Sequence, residues 1–216
     1  MIRSEIIQMT RDEVPGIDTR SVSDTLMQNW CLEGNKDFCA RARCIIDQAG
    51  TTITTTAGDT YWDLTAEITN FYDIDTLLGG VLYNNKPLVN TSIAELDEET
   101  NGAWRSYSAG TPKKWFRRGQ YLYVERAIDA SADDLLIYSV LLPDDWNTDI
   151  APYNALTYLA PYHYGMVLYL KWRALSKIGK KEAAATAMAE YFEYAKWTKG
   201  QLGGTKFVPI YLTKRV

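Results

Sequence analysis

Apolar residues keep a helical spacing up to about residue 48, alternate like strand residues through the middle of the chain, and return to helical spacing from about residue 161. Ile2, Ile6, Ile7 and Met9 predict a short first helix over Met1 to Arg11, which Pro15-Gly16 ends. Ser21 or Ser23 then caps a longer helix. Its stripe of Leu26, Trp30, Gly34, Phe38, Ala42 and Ile45 runs at steps of four and three, predicting a continuous helix to about Asp47. Gly34 inside that stripe allows another helix to approach closely, so the reading is of packing rather than a break.

Thr-rich, β-branched sequence begins at Gly50. Thr51 to Ala57 and Thr60 to Leu64 read as a strand pair turning at Gly58-Asp59. Further strands are expected at Asp73 to Leu78 and Val81 to Tyr83, with Asn84-Asn85 turning into Pro87 to Asn90. Ser92-Ile93-Ala94-Glu95 is a capping box, so one helix runs to about Glu99 with Asp97-Glu98-Glu99 as its solvated end. Trp115 to Arg118 and Gln120 to Arg126 flank Gly119, the second run alternating Tyr121, Tyr123 and Glu125 with Leu122, Val124 and Arg126. After a turn over Asp129 to Asp134, Leu135 to Leu142 is apolar enough for a central strand, and Pro143 ends it.

Beyond the acidic loop Asp144-Asp145-Trp146, Pro152 suits a short helical opening and Pro161 the main one. Met166, Val167, Leu170, Ala174 and Ile178 mark the buried face of that helix, Gly179 stops it, and a return helix over Lys181 to Lys199 buries Ala184, Met188, Tyr191 and Ala195. Together they make a helical hairpin. A tail starts at Gly203-Gly204 and carries Phe207, Val208, Pro209, Ile210, Tyr211 and Leu212. A terminal segment so apolar must either fold back on its own domain or be received by a partner.

The pattern therefore predicts an α+β protein. Its boundaries are N-terminal helices over residues 1–49, a β-rich insertion over 50–142, a helical hairpin over 143–202 and an extended tail over 203–216. At 216 residues the chain can bury roughly 70% of its unfolded surface, so it needs no covalent or metal staple. No run is long and apolar enough to span a bilayer, and the N-terminus lacks a signal-peptide pattern. Cys31, Cys39 and Cys44, placed on one predicted helix, match neither a zinc knuckle nor a CxxC site and read as small core residues of a reducing cytoplasm. A net charge of -4 weighs against a sequence-specific nucleic-acid reader, though not against a surface past which DNA slides. Seven Trp and fifteen Tyr suit protein interfaces as well as a core, and most of them are expected in the core.

Candidate chemistry is thin. His163 is the only histidine, so a metal centre or a Ser-His-Asp arrangement lacks support; at the start of the main helix it is placed to hydrogen-bond the preceding loop. Asp145, Asn147 and Asp149 alternate like calcium-loop ligands, but Ile150 and Leu156 stand where the loop requires glycine and glutamate. No phosphate loop, dinucleotide fingerprint or nucleophile elbow occurs. Lys113, Lys114, Arg117 and Arg118 interleave with Trp115 and Phe116, a combination able to touch DNA or another subunit. Strand alternation splits them between two faces, and a charge-guarded sheet edge explains them as well. These observations point to a non-enzyme without a cofactor.

The order of parts carries a resemblance. A capped N-terminal helix, a Thr-rich strand ending in Tyr61-Trp62-Asp63-Leu64, Gly110-Thr111-Pro112, the hairpin through Gly119 to Tyr123, the strand Leu135 to Leu142 and the Tyr162-His163 helix start resemble the head-to-tail connector (adaptor) proteins of tailed bacteriophages. That resemblance spans nearly the whole chain. It implies an antiparallel helical bundle with an inserted antiparallel β domain and an extended C-terminal tail, assembled as a dodecameric ring in the virion neck between capsid and tail. The implied partners are further copies of the chain, the portal protein, a downstream nozzle, stopper or tail-tube protein, and DNA passing transiently through the channel, with no membrane anchor and with assembly in the host cytoplasm. The tail residues Phe207 to Leu212 would bind the portal by adding an extended segment to its edge or groove. An alternative is a minor tail or fibre-associated β-rich protein with the hairpin as its anchor; a small hydrolase using His163 lacks a recognisable nucleophile.

Overall fold

The computed structural model describes residues 2–76, 79–130, 134–143 and 160–202. The chain divides into two compact units, Met1–Ile45 with Leu142–Val216, and Ile46–Leu141. The architecture is mixed α+β, with helices concentrated in the first unit and strands in the second.

In the helical unit, α1 (Arg3–Glu13) opens with the Glu5 carboxylate accepting the Ile2 backbone N–H at 2.8 Å. It stops because Val14, extended ahead of Pro15, cannot continue the helix. Helix α2 (Asp24–Ala42) is capped by Ser23, whose hydroxyl accepts the Leu26 N–H at 3.3 Å, while Ser21 pairs with Asp18 instead. It ends at Ala42 rather than Asp47. Arg43 turns into the left-handed region (φ 52°) and donates to the Cys39 carbonyl, a stop without the glycine that usually signals one. Cys44 consequently lies beyond the helix, half-buried against the same core, with its sulfur 3.4 Å from that of Cys39.

Residues 160–162 form a 3-10 turn and α5 (Tyr164–Lys177) follows, three residues later than Pro161 suggested. Gly179 (φ +78°) reverses the chain into α6 (Lys181–Leu202). Helices α5 and α6 pack along each other, both meet α2, and α1 lies against α5 and α2. The contact between α2 and α5 is set by two glycines. A Cβ on Gly34 would stand 2.5 Å from the Tyr169 ring, and one on Gly165 would stand 2.3 Å from the Phe38 ring, so each helix admits an aromatic of the other. Tyr191 is fully buried beside Phe38, Tyr169 and Trp172, and its hydroxyl donates to Asp37 at 2.6 Å. Burial and that carboxylate push the tyrosine's pKa up. Ala184, Tyr191 and Ala195 are buried as expected, whereas Met188 is half-buried and Ala187 takes a core place.

The β unit holds β1 (Thr51–Thr54), β2 (Tyr61–Asp63), the short α3 (Leu64–Glu67), β3 (Phe71–Ile74), β4 (Val81–Tyr83), β5 (Lys86–Pro87), β6 (Val89–Asn90), α4 (Ile93–Thr100), β7 (Lys114–Arg118), β8 (Tyr121–Val124), β9 (Asp134–Ile137) and β10 (Ser139–Leu141). They form three sheets, ordered β1-β9-β4-β5, β10-β3 and β2-β8-β7-β6. The first two strands do not form the predicted hairpin. β1 pairs with β9 and β2 with β8, because Ile53 and Trp62 each bury in a core that distant strands complete. The single strand expected over Leu135 to Leu142 is two, β9 central in one sheet and β10 paired with β3 in another. The Asn84-Asn85 hairpin is present, both asparagines having positive φ, and joins β4 to β5. One strand pair departs from the antiparallel expectation. β6 runs parallel to β7, which the intervening α4 and 3-10 turn make possible as a crossover.

Candidate functional site: an aromatic and arginine groove

A groove of about 530 Å³ opens in the β unit over the outer face of β8 and β7. Alternation on β8 sends Leu122 and Val124 into the core and leaves Tyr121 and Tyr123 on the other face. Register then does the rest. Tyr61 of β2 and Phe116 of β7 both stand directly opposite Tyr123. Their rings stack on it at 5.6 and 5.2 Å between centroids, making a continuous cross-strand row. Tyr61 remains 57% exposed at one end of the row.

At the other end Trp104, on the 3-10 turn after α4, meets Phe116 edge-on at 5.8 Å. Asp97 fixes that turn. Its carboxylate accepts the Trp104 indole N–H at 2.7 Å and both guanidinium nitrogens of Arg105, which also lies over the Trp104 ring. Those bonds, from Arg105 first and Trp104 second, hold the Asp97 pKa below its ordinary value. The capping box that starts α4 is present, Ser92 and Glu95 exchanging bonds of 2.7 and 3.2 Å.

Glu125 forms the floor. It is buried, accepts the backbone N–H groups of Lys113 and Lys114 at 2.8 Å each, and lies 3.6 Å from the Arg126 guanidinium. Arg126 in turn covers the Tyr107 ring, and its buried Nε has no hydrogen-bond acceptor among the described residues. The Gly110-Thr111-Pro112 element is held by the same strand end. Gly110 donates to the Ala127 carbonyl at 2.9 Å, and a Cβ there would press 3.3 Å from Arg126.

The four basic residues singled out in sequence do not form one patch. Lys114 is paired with Glu99, and Arg117 with Asp73 and the Gly119 carbonyl while lying over Phe71. Lys113 is exposed at the start of the run, its backbone tied to Glu125. Arg118 reaches the groove, and among the described residues its side chain has no hydrogen bond or ion pair. The sequence singles out the alternation and Arg118 as a possible contact, and gives no sign that Trp104, Arg105, Tyr107 and Arg126 line the same groove. Their roles depend on where α4 and the 3-10 turn land, which no local pattern encodes.

His163 is buried at the start of α5, where its carbonyl accepts the Met166 N–H at 3.0 Å. The acidic loop and most of the segment before α5, including Asp145, Asn147 and Asp149, lie outside the described residues, as do the tail residues Phe207, Val208, Pro209, Ile210, Tyr211 and Leu212. Cys31 and Cys39 are buried. Burial pushes the Cys31 thiol up to about 12 and raises Cys39 further, which disfavours thiolate chemistry at both. Among the described residues no cluster of three His, Cys, Asp or Glu side chains could hold a metal ion, and no helix is long and apolar enough to cross a membrane.

Comparison with protein families gives a match of residues 1–202 to the family described as SU10 adaptor protein. No curated protein matches the chain.

Proposed function

We propose, from the premise that this chain belongs to the SU10 adaptor family of phage head-to-tail adaptors, that it is a virion structural protein joining the portal to the tail. The family match over residues 1–202 is the observation that carries this reading, since it takes in both units and ends where α6 ends. In finer terms, copies of the chain form a ring beneath the portal and line the DNA channel. The helical unit builds the ring, and the β unit meets a neighbouring subunit or the next tail component.

Several features support the finer reading. Gly34 and Gly165 give α2 and α5 a close seam, as a load-bearing ring would need. In the β unit Lys114 and Arg117 are neutralised by Glu99 and Asp73, so these two cations would grip passing DNA weakly. The chain's net charge of -4 favours the same outcome. The tail over residues 203–216 lies beyond the family match, and its role rests on composition. Phe207, Val208, Pro209, Ile210, Tyr211 and Leu212 would bury their apolar surface only against a receiving groove or edge, which the portal supplies. Deleting residues 203–216 should leave a folded ring-forming protein that no longer co-sediments with its portal. Unchanged co-sedimentation of the truncated chain would remove the tail from the docking scheme.

A further inference from the structure

Resting on the ring reading above, we infer that the aromatic and arginine groove of one subunit receives the acidic segment 144–149 of a second copy of this chain. The groove has what such a segment requires. Trp104, Phe116 and Tyr123 supply a continuous aromatic wall, and Arg105, Arg118 and Arg126 supply guanidinium groups around it. Of these, Arg105 is committed to Asp97, and Arg126 shares Glu125 with two backbone N–H groups. Among the described residues Arg118 is left without a hydrogen bond or ion pair, so its charge is open to an incoming group. A cavity of about 530 Å³ is large enough to seat an aromatic side chain with its flanking residues.

Charge decides among the possible occupants. The C-terminal tail carries Lys206, Lys214 and Arg215 and no carboxylate side chain, so the arginines would repel it. The acidic run Glu95 to Glu99 has most of its carboxylates in use: Glu95 caps its own helix, Asp97 holds Trp104 and Arg105, and Glu99 pairs with Lys114. Asp144-Asp145-Trp146-Asn147-Thr148-Asp149 sets three carboxylates around one tryptophan with no basic residue. An indole seated on the aromatic row with carboxylates at Arg118 and Arg126 is the usual composition of an interface anchor. In a ring each subunit boundary repeats the same pair of surfaces, so one such contact would recur at every boundary.

The test is a charge exchange in the full-length protein, read by mass photometry and sedimentation velocity. Arg118→Glu and Asp145→Arg should each raise the protein concentration needed for assembly by roughly tenfold, the scale of a close interfacial charge pair. The double variant should recover at least half of that loss. Trp146→Ala should weaken assembly without changing the circular dichroism of the subunit. Arg118 is exposed, so its substitution leaves the fold intact; Arg118→Ala provides the variant without an introduced repulsion. Rings assembling at the wild-type concentration with Arg118→Glu, or a double variant no better than the single ones, would overturn the inference and leave the ring reading standing. Concentration-independent monomers that bury Trp146 against the groove of their own chain would overturn it too. A wild-type protein that never assembles, even with its portal, would instead bring down the function on which the inference rests.

Discussion

Glu125 shows how much one side chain can organise. Its buried carboxylate closes two backbone N–H groups of the Lys113-Lys114 segment and stands beside Arg126, thereby fixing both the Gly110-Thr111-Pro112 approach and one wall of the groove. Replacing Glu125 with Ala leaves two donors without their acceptor and the Arg126 charge without its neighbour. We expect a loss of about 3 kcal/mol in urea unfolding, with Glu125→Gln recovering part of it through its remaining carbonyl oxygen. A loss within about 0.5 kcal/mol would show that water replaces the carboxylate, and the groove floor would need another explanation. In sequence Glu125 was visible only as a polar member of an alternating strand. Its burial depends on the return of Lys113 and Lys114 alongside it, a contact that periodicity does not carry.

At the scale of elements, the sequence carries the local signals and leaves the strand pairings unmarked. Ser23, the Ser92-Glu95 box, Asn84-Asn85 and Gly179 each act on residues within one turn, and each does what its chemistry dictates. The strands β1 and β2 adjoin in sequence across Gly58-Asp59, yet each pairs with a strand some sixty or more residues away in sequence. Burial of Ile53 and Trp62 wins over the local hairpin, and nothing near residue 58 announces it. The end of α2 was missed for a different reason: Arg43 takes a left-handed turn that sequence rules reserve mainly for glycine or asparagine. The helix seam was legible because Gly34 interrupts an otherwise large apolar stripe. Its counterpart Gly165 predicts a clear outcome. Gly165→Ala would place a methyl group within 2.3 Å of the Phe38 ring and should cost about 1–3 kcal/mol in chemical denaturation. Phe38→Leu in the same chain should then cost less than it does alone, because the added methyl fills part of the space the ring vacates.

For the whole molecule, the sequence showed an α+β chain whose strands fall between helices, and the structure divides it into units over Met1–Ile45 with Leu142–Val216 and over Ile46–Leu141. The adaptor family was legible through a resemblance in the order of parts and not through any single motif. The aromatic row of the candidate groove, Tyr61, Tyr123 and Phe116, is assembled from distant segments that no local pattern brings together. A ring-forming adaptor seated on the portal should be visible by electron microscopy of the purified protein mixed with its portal. Closed rings coaxial with the portal and stacked on its tail-facing end are the expected image. Monomers or trimers in the mixture, with bare portals, would rule such a ring out.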